Sequence, residues 1–233
     1  MSILKKIWRK RYLVFSLPIS IWFNLRHFPL KTALKLPVLL CNPHLSGQGA
    51  YKLPDKVYFG MIRLGFPMVS IFRDKGIVLE NKGTIIFSGE TRLGGGSAIS
   101  VGEKGKLTFG ARFCNQAGGK IICYHEVFFG KVVRLGWQTL VCDTDFHTMK
   151  TVDGSYHTKG YGKIEIGDEV WVGSYCKIFK NTKIPSRCTI ASNTLLNKEI
   201  YCQPYSLIYS GGGIKTKYTG LYRDIDDDKV IYE

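Results

Sequence analysis

Residues 166–207 read IGDEVW VGSYCK IFKNTK IPSRCT IASNTL LNKEIY CQPYSL, a six-residue pattern repeated seven times. The first position is aliphatic in six of the seven hexads, and the fifth position is mostly small or β-branched. A period of six matches neither the 3.6-residue period of a helix nor the two-residue alternation of a strand. It is typical of short strands that alternate with corners around a triangular coil.

Three such sides make a coil of about 18 residues, which returns the chain one strand spacing higher, about 4.8 Å. Residue i is therefore predicted to stack on residue i+18. The predicted pairs are Ile166 with Ile184, Val172 with Ile190, and Ile178 with Leu196. The same period runs upstream in a different phase through CYHEVF FGKVVR LGWQTL VCDTDF, residues 123–146. We therefore predict an all-β protein, a parallel β-helix built on aliphatic ladders.

The repeat stops at VCDTDFH, residues 141–147, and resumes only at Ile166. The polar, glycine-containing stretch 147–165 is predicted to project as a loop, and loops on rigid scaffolds often carry function. The candidate catalytic residues are Asp143, Asp145 and His147. An imidazole can take a proton near neutral pH, and one of the aspartates could orient it through the other ring nitrogen.

Two other interpretations of this motif are open. The aspartates could simply cap the exit turn, or the Asp-x-Asp-x-His spacing could offer metal ligands. No second histidine lies at a matching spacing, so no metal is expected. His125 lies mid-hexad and is predicted to be a surface residue. The chain has seven cysteines and no CxxC motif, which indicates reduced core thiols rather than a disulfide framework or zinc site.

The net charge of +15 is unevenly distributed, because residues 1–40 hold eight Lys or Arg and the first acidic residue is Asp55. This favours an anionic surface as partner. The apolar run 12–23 is too short for a membrane span of about 20 residues. It suits an amphipathic helix on a membrane face, and an alternative is a helix packed on the protein's own body. The aromatic residues expected at the membrane interface are Trp8, Phe15, Trp22 and Phe23.

The segment IGDEVWVGSYCKI resembles the signature of the hexapeptide-repeat acyltransferases, which are left-handed parallel β-helices. LGWQTLVCDTDFH resembles the acceptor-site segment of their polysaccharide O-acetyltransferase branch, and residues 23–40 resemble the lead-in of bacterial cell-surface glycan acetyltransferases. The resemblance implies a homotrimer with each active site between neighbouring subunits. It also implies acetyl-CoA as donor and a hydroxyl group of a surface glycan as acceptor.

Residue by residue, the resemblance assigns His147 as general base. For the donor, it implies Trp171 beside the site, the Ser174 backbone N–H at the thioester oxygen, the Ser192 backbone at the pantetheine arm and Lys198 near the phosphates. Asn115 and Trp137 are candidates for acceptor binding. A turn role for the first and subunit packing for the second would explain them equally well.

These observations predict a basic helical lead-in over residues 1–45, a β-helix over 46–215 with a loop at 147–165, and a tail over 216–233. The expected activity is acetyl-CoA-dependent O-acetylation of a capsule, O-antigen or exopolysaccharide precursor, on the cytoplasmic face of the membrane. No nucleic-acid partner is expected. The alternatives are acetylation of a nucleotide-linked amino sugar or small soluble acceptor, and a non-catalytic scaffold at the membrane.

Overall fold

Three parallel sheets form the sides of the molecule in the computed structural model, which describes residues 3–72, 75–211, 221–223 and 231. Helices α1 (Ile3–His27) and α2 (Leu30–Ala33) precede the sheets, and a 3-10 turn (Ser70–Phe72) lies between two coils. The chain visits the sheets in turn and winds into a left-handed parallel β-helix. The fold predicted from the hexads is therefore confirmed.

The strands before the loop are short and follow one another around the coils. They are β1 (Val38–Leu40), β2 (Pro43–Ser46), β3 (Ala50–Lys52), β4 (Ile62–Phe66), β5 (Ile77–Asn81), β6 (Thr84–Phe87), β7 (Thr91–Gly94), β8 (Ser97–Val101), β9 (Lys106–Phe109), β10 (Phe113–Asn115), β11 (Lys120–Cys123), β12 (Glu126–Phe129), β13 (Arg134–Leu135) and β14 (Leu140–Cys142).

The loop contributes β15 (Met149–Thr151), and the coils then resume. The later strands are β16 (Ile164–Ile166), β17 (Trp171–Val172), β18 (Lys177–Phe179), β19 (Lys183–Ile184), β20 (Thr189–Ile190), β21 (Leu195–Leu196), β22 (Leu207–Ile208) and β23 (Leu221–Arg223). Sheet A has the order β1-β4-β7-β10-β13-β17-β20-β22, sheet B β2-β5-β8-β11-β14-β18-β21, and sheet C β19-β16-β12-β9-β6-β3.

The predicted stacking is confirmed pair by pair. The structure pairs Ile166 with Ile184, Val172 with Ile190, and Ile178 with Leu196. Upstream the coils are longer, since Lys120 pairs with Leu140 twenty residues on. The hexads hold along the chain there, but additional corner residues change the spacing between coils.

Glycine at the second hexad position is explained by the distance between successive coils. A Cβ atom on Gly136 would lie 2.6 Å from the backbone nitrogen of Ser174, and one on Gly173 would lie 2.6 Å from that of Ser192. Neither distance is compatible with a side chain. The two glycines therefore let the coils close at the corner between sheets A and B.

Helix α1 covers the open N-terminal edge of the β-helix. Asn24 donates to the Val38 carbonyl at 2.7 Å and accepts from the Val38 N–H at 3.3 Å, while Ser20 Oγ accepts from the Leu40 N–H at 2.9 Å. These side chains supply the bonds that a preceding strand would otherwise make. Phe23 is 2% exposed in the core. The packed-helix interpretation therefore holds for this inner face.

The opposite face of α1 is open and apolar, with Phe15 79% and Trp22 48% exposed. Four aromatic residues were expected at a membrane interface. The prediction is wrong for Phe23, because its side chain packs inward. The side chain of Trp8 lies outside the described residues. No helix in the described ranges has the length and hydropathy needed to cross a bilayer.

The β-helix begins earlier than the predicted boundary at residue 46. Strand β1 at Val38 already pairs in register with β4, and β2 pairs with β5. Val38–Leu40 is buried on both faces, between core and α1, so it lacks the alternation by which a strand is recognised. At the other end, β23 pairs antiparallel with β15, and most of the predicted tail 216–233 lies outside the described residues.

Candidate functional site

The interruption at residue 143 is a β-hairpin that leaves the corner between sheets B and C. Its two arms are joined by antiparallel bridges between Thr144 and Tyr161 and between Lys150 and His157. The Asp145 N–H also donates to the Gly160 carbonyl at 2.7 Å. The expected projecting loop is thus an ordered hairpin, which can position side chains at its base.

Asp143 lies at the base of the hairpin but does not orient His147. Its carboxylate is fully buried, and its two oxygens each accept a backbone N–H at 2.8 Å, from Tyr124 and His125. Burial raises the pKa of this carboxyl, although both amides stabilise its charged form. Asp143 therefore fastens the exit corner to the coil below. Our assignment of Asp143 as a catalytic residue is wrong on this geometry.

Asp145 forms an ion pair with Lys180 of the next coil, and both side chains are partly buried. Phe146 then takes a left-handed backbone conformation, with φ of +61°. The three polar side chains of the motif consequently do not share one face, as an extended segment would require. Asp145 and Lys180 instead form part of the wall of a pocket.

His147 is half-buried at the start of the hairpin. It makes no hydrogen bond, ion pair or ring contact with any other residue in the described ranges, so neither aspartate holds its imidazole. Neither ring nitrogen is therefore engaged by another described residue. The role of general base for His147 stays a prediction.

A pocket of about 420 Å³ lies between the hairpin and the following coils. Its volume falls within the range typical of small-molecule sites. Polar and aromatic side chains share its wall, which is formed by Asp145, Tyr156, Thr158, Lys159, Tyr161, Phe179, Lys180, Asn181 and Asn197. The pocket therefore offers both ring surfaces and hydrogen-bonding groups.

Sequence reasoning missed most of this wall. The 18-residue register was the available signal, because it places Lys180 beneath Lys198 at the corner between sheets B and C. His125 was also missed, since its ring lies 4.8 Å from that of Tyr161 rather than open to solvent. His125 is therefore a second imidazole close to the pocket.

The residues expected at the donor form a column at a different corner, between sheets A and B. The Trp137 N–H donates to Ser174 Oγ at 3.2 Å, and the Ser174 N–H donates to Ser192 Oγ at 3.2 Å. Trp171, 57% exposed, precedes this corner on sheet A. The Ser174 amide is thus engaged by the next coil. Trp137 belongs to this donor column and not to the hairpin.

Two expected residues lie elsewhere. Asn115 is fully buried inside the coil, where its Nδ2 donates to Ser97 Oγ at 3.1 Å, so the acceptor-binding role is wrong. Lys198 is exposed at the corner between sheets B and C, near Asn197 of the pocket and away from Trp171. Within the described ranges, no three His, Cys, Asp or Glu side chains converge as a metal site requires.

On the single chain, the residues expected at the donor and those of the hairpin lie on different edges, and we call these two groups half-sites. The donor column lies at the corner between sheets A and B, and the hairpin with its pocket lies at the corner between sheets B and C. The side of the coil that separates Ser174 from Lys180 is six residues long, up to about 20 Å at 3.3 Å per residue. The described chain does not bring His147 to Ser174.

No protein-family model matches the chain, and no curated protein matches it significantly. Among solved structures, it is similar to the polysialic acid O-acetyltransferase OatWY, at 15% sequence identity and a TM-score of 0.32. That similarity covers 75% of this chain and 94% of the other. Likeness at this level carries no argument about activity, so the function rests on the residues of this chain.

Proposed function

We propose that this protein is an acetyl-CoA-dependent O-acetyltransferase that modifies a hydroxyl group of a bacterial surface glycan or its lipid-linked precursor. The observation that carries the proposal is the placement of His147. Its imidazole has no partner in the described chain. Asp145, two residues before it, lies in the wall of the pocket of about 420 Å³, so the chain carries His147 past the edge of that pocket. The proposed reaction class, acetyl transfer, comes from the resemblance of the DTDFH motif and the hexads to the hexapeptide-repeat acyltransferases.

In the proposed reaction, the pocket binds the sugar and His147 accepts the proton of its hydroxyl group. The hydroxyl oxygen attacks the thioester carbonyl, and backbone N–H groups stabilise the oxyanion. The carbon–sulfur bond then breaks, and His147 returns the proton to the leaving thiolate. The products are an O-acetyl ester and free CoA, and no covalent acyl-enzyme is required.

The separation of the two half-sites supports a homotrimer. Each copy would place its hairpin next to the donor column of a neighbour. His147 of one copy would then act on the acetyl donor that is bound beside Trp171 and Ser174 of the other. Closed three-fold assemblies use the same two surfaces at every interface. A single copy, with its half-sites up to about 20 Å apart, would be inactive.

The outer face of α1 supports docking on the inner, cytoplasmic face of the membrane. Its exposed residues Val14, Phe15, Ile21, Trp22 and Leu25 fall on one side of the helix. Arg26 lies over the Trp22 ring at 5.5 Å. Apolar side chains beside basic ones are the arrangement of a helix at an anionic interface. Docking on the membrane would bring the enzyme to a membrane-bound glycan precursor, whereas a small soluble acceptor would not require it.

Mass spectrometry of the surface glycan, from cells with and without the protein, tests the activity. The account predicts acetyl esters that disappear with the protein and return with the wild-type chain but not with His147→Ala. In a matched assay, purified protein should release CoA from acetyl-CoA only when the glycan is present. An unchanged glycan would contradict the proposal.

A further inference from the structure

A column of arginines runs along the outer face of sheet A. The strand register pairs Arg63 with Arg92, Arg92 with Cys114, Cys114 with Arg134, and Arg134 with Trp171. With successive strands about 4.8 Å apart, Arg63 and Arg134 are separated by about 14 Å. The column therefore ends directly below the exposed ring of Trp171.

A pocket of about 190 Å³ opens in this column. Its wall consists of Glu90, Arg92, Arg112, Phe113, Cys114 and Arg134. Glu90 forms an ion pair with Arg92 at 2.5 Å. Neither Arg112 nor Arg134 has a carboxylate partner among the described residues. With three arginines and one glutamate, the pocket carries a net charge of about +2.

Structural needs alone do not explain this arrangement. Arg63 and Arg92 are directly paired on neighbouring strands, and Arg92, Arg112 and Arg134 line one pocket. Like charges this close repel one another and cost stability. Cys114 cannot compensate for them, because burial raises the pKa of its thiol and leaves it neutral. Guanidinium groups bind carboxylate and phosphate oxygens through paired N–H donors, more specifically than lysine does. A bound oxyanion would turn the repulsion into attraction.

We propose that Arg92, Arg112 and Arg134 bind an oxyanion, a carboxylate or phosphate, that belongs to the acceptor glycan. This inference rests on the proposed function and narrows its substrate to an acidic glycan. The chain of the acceptor would follow the arginine column toward Trp171, where the reacting hydroxyl meets the donor. The same chemistry could serve the phosphates of CoA, and the experiment separates these two sources.

The test is calorimetry on the full-length protein with four probes: pyrophosphate, oligogalacturonate, a neutral glucan oligomer of the same length, and CoA. Wild type should bind pyrophosphate and oligogalacturonate, more weakly at high salt, and should not bind the glucan. Arg112→Gln and Arg134→Gln should each lower the affinity for both anions about tenfold or more. Lys120→Gln is the matched control. It removes one charge from the same coil, but on sheet B, and should change nothing.

Three results would overturn the assignment. Wild type could fail to bind both anions, or the arginine variants could bind them as the Lys120→Gln control does. Alternatively, the arginine variants could lose affinity for CoA, with or without pyrophosphate, while they keep their affinity for oligogalacturonate, which would assign the column to the donor. Arginine-dependent oligogalacturonate binding by a protein that transfers no acetyl group would overturn the proposed function and leave the oxyanion site standing.

Discussion

At the scale of single residues, the proposed reaction depends on His147. His147→Ala should leave the fold and CoA affinity nearly unchanged, since the imidazole supports no other described residue. Acetyl transfer should slow by about 10²–10⁴-fold, the usual contribution of a general base. The measurement is CoA release with purified protein and glycan.

The control for this prediction is His44→Ala, an exposed histidine on β2, which should retain full activity. His125→Ala examines the rival imidazole and should cost less than about tenfold, because its ring packs on Tyr161. Should His147→Ala keep more than about a tenth of wild-type activity while His125→Ala does not, the base is His125.

Asp143 and Asp145 should differ in stability rather than in catalysis. In Asp143→Asn, the side-chain NH2 group would face one of the two buried backbone N–H groups that the carboxylate now accepts, so two donors would meet. We expect this change to lower the free energy of unfolding by about 1–3 kcal/mol. Asp145→Asn weakens a partly exposed ion pair and should cost less than about 1 kcal/mol. Urea denaturation measures both. Equal losses would contradict the capping role of Asp143.

At the scale of elements, α1 has a structural face and an open face, and each makes its own prediction. Asn24→Ala and Ser20→Ala should each destabilise the first coil by about 1–3 kcal/mol, since they orphan backbone groups of β1. Hydrogen exchange at Val38 and Leu40 is the readout. Ser16→Ala is the control, because Ser16 Oγ bonds only the Leu13 carbonyl of its own helix.

The open face of α1 should govern vesicle binding. The double variant Phe15→Gln, Trp22→Gln should bind anionic vesicles more weakly than wild type, while its thermal stability stays unchanged. Binding by wild type should also fall at high salt, since each basic residue near the surface contributes about 1 kcal/mol before screening. Leu207→Gln alters an exposed apolar residue on the last coil and serves as control. Undiminished binding by the double variant would refute membrane docking through α1.

The hexads predicted the strand register correctly because the pairing depends only on a regular period along the chain. Three hexads make one coil, so Ile166 pairs with Ile184, eighteen residues on. The same reasoning missed β1, whose apolar residues do not alternate. It also assigned Asp143 to His147, because spacing along the chain does not show which backbone amides lie one coil below. Lys180 escaped notice for a related reason. It reaches Asp145 through coil register, across 35 residues of sequence.

At the scale of the whole molecule, the proposed shared site requires neighbouring copies. Light scattering on the purified protein should give three times the chain mass of 26.3 kDa. Dilution below the dissociation range should abolish transfer, because an isolated copy holds its half-sites on different edges. A monomer that transfers acetyl groups would contradict the shared site.

The most direct test of the shared site is complementation between two inactive variants. His147→Ala removes the base, and Trp171→Ala removes the exposed ring beside the donor column, on a different edge. Each should assemble as a trimer and leave the glycan unacetylated when expressed alone. Expressed together, they should restore about a quarter of wild-type acetylation, since each mixed trimer retains one interface with both half-sites intact. Mass spectrometry of the glycan gives the answer: recovery in the mixture is the predicted result, and its absence from proven mixed trimers would contradict the account.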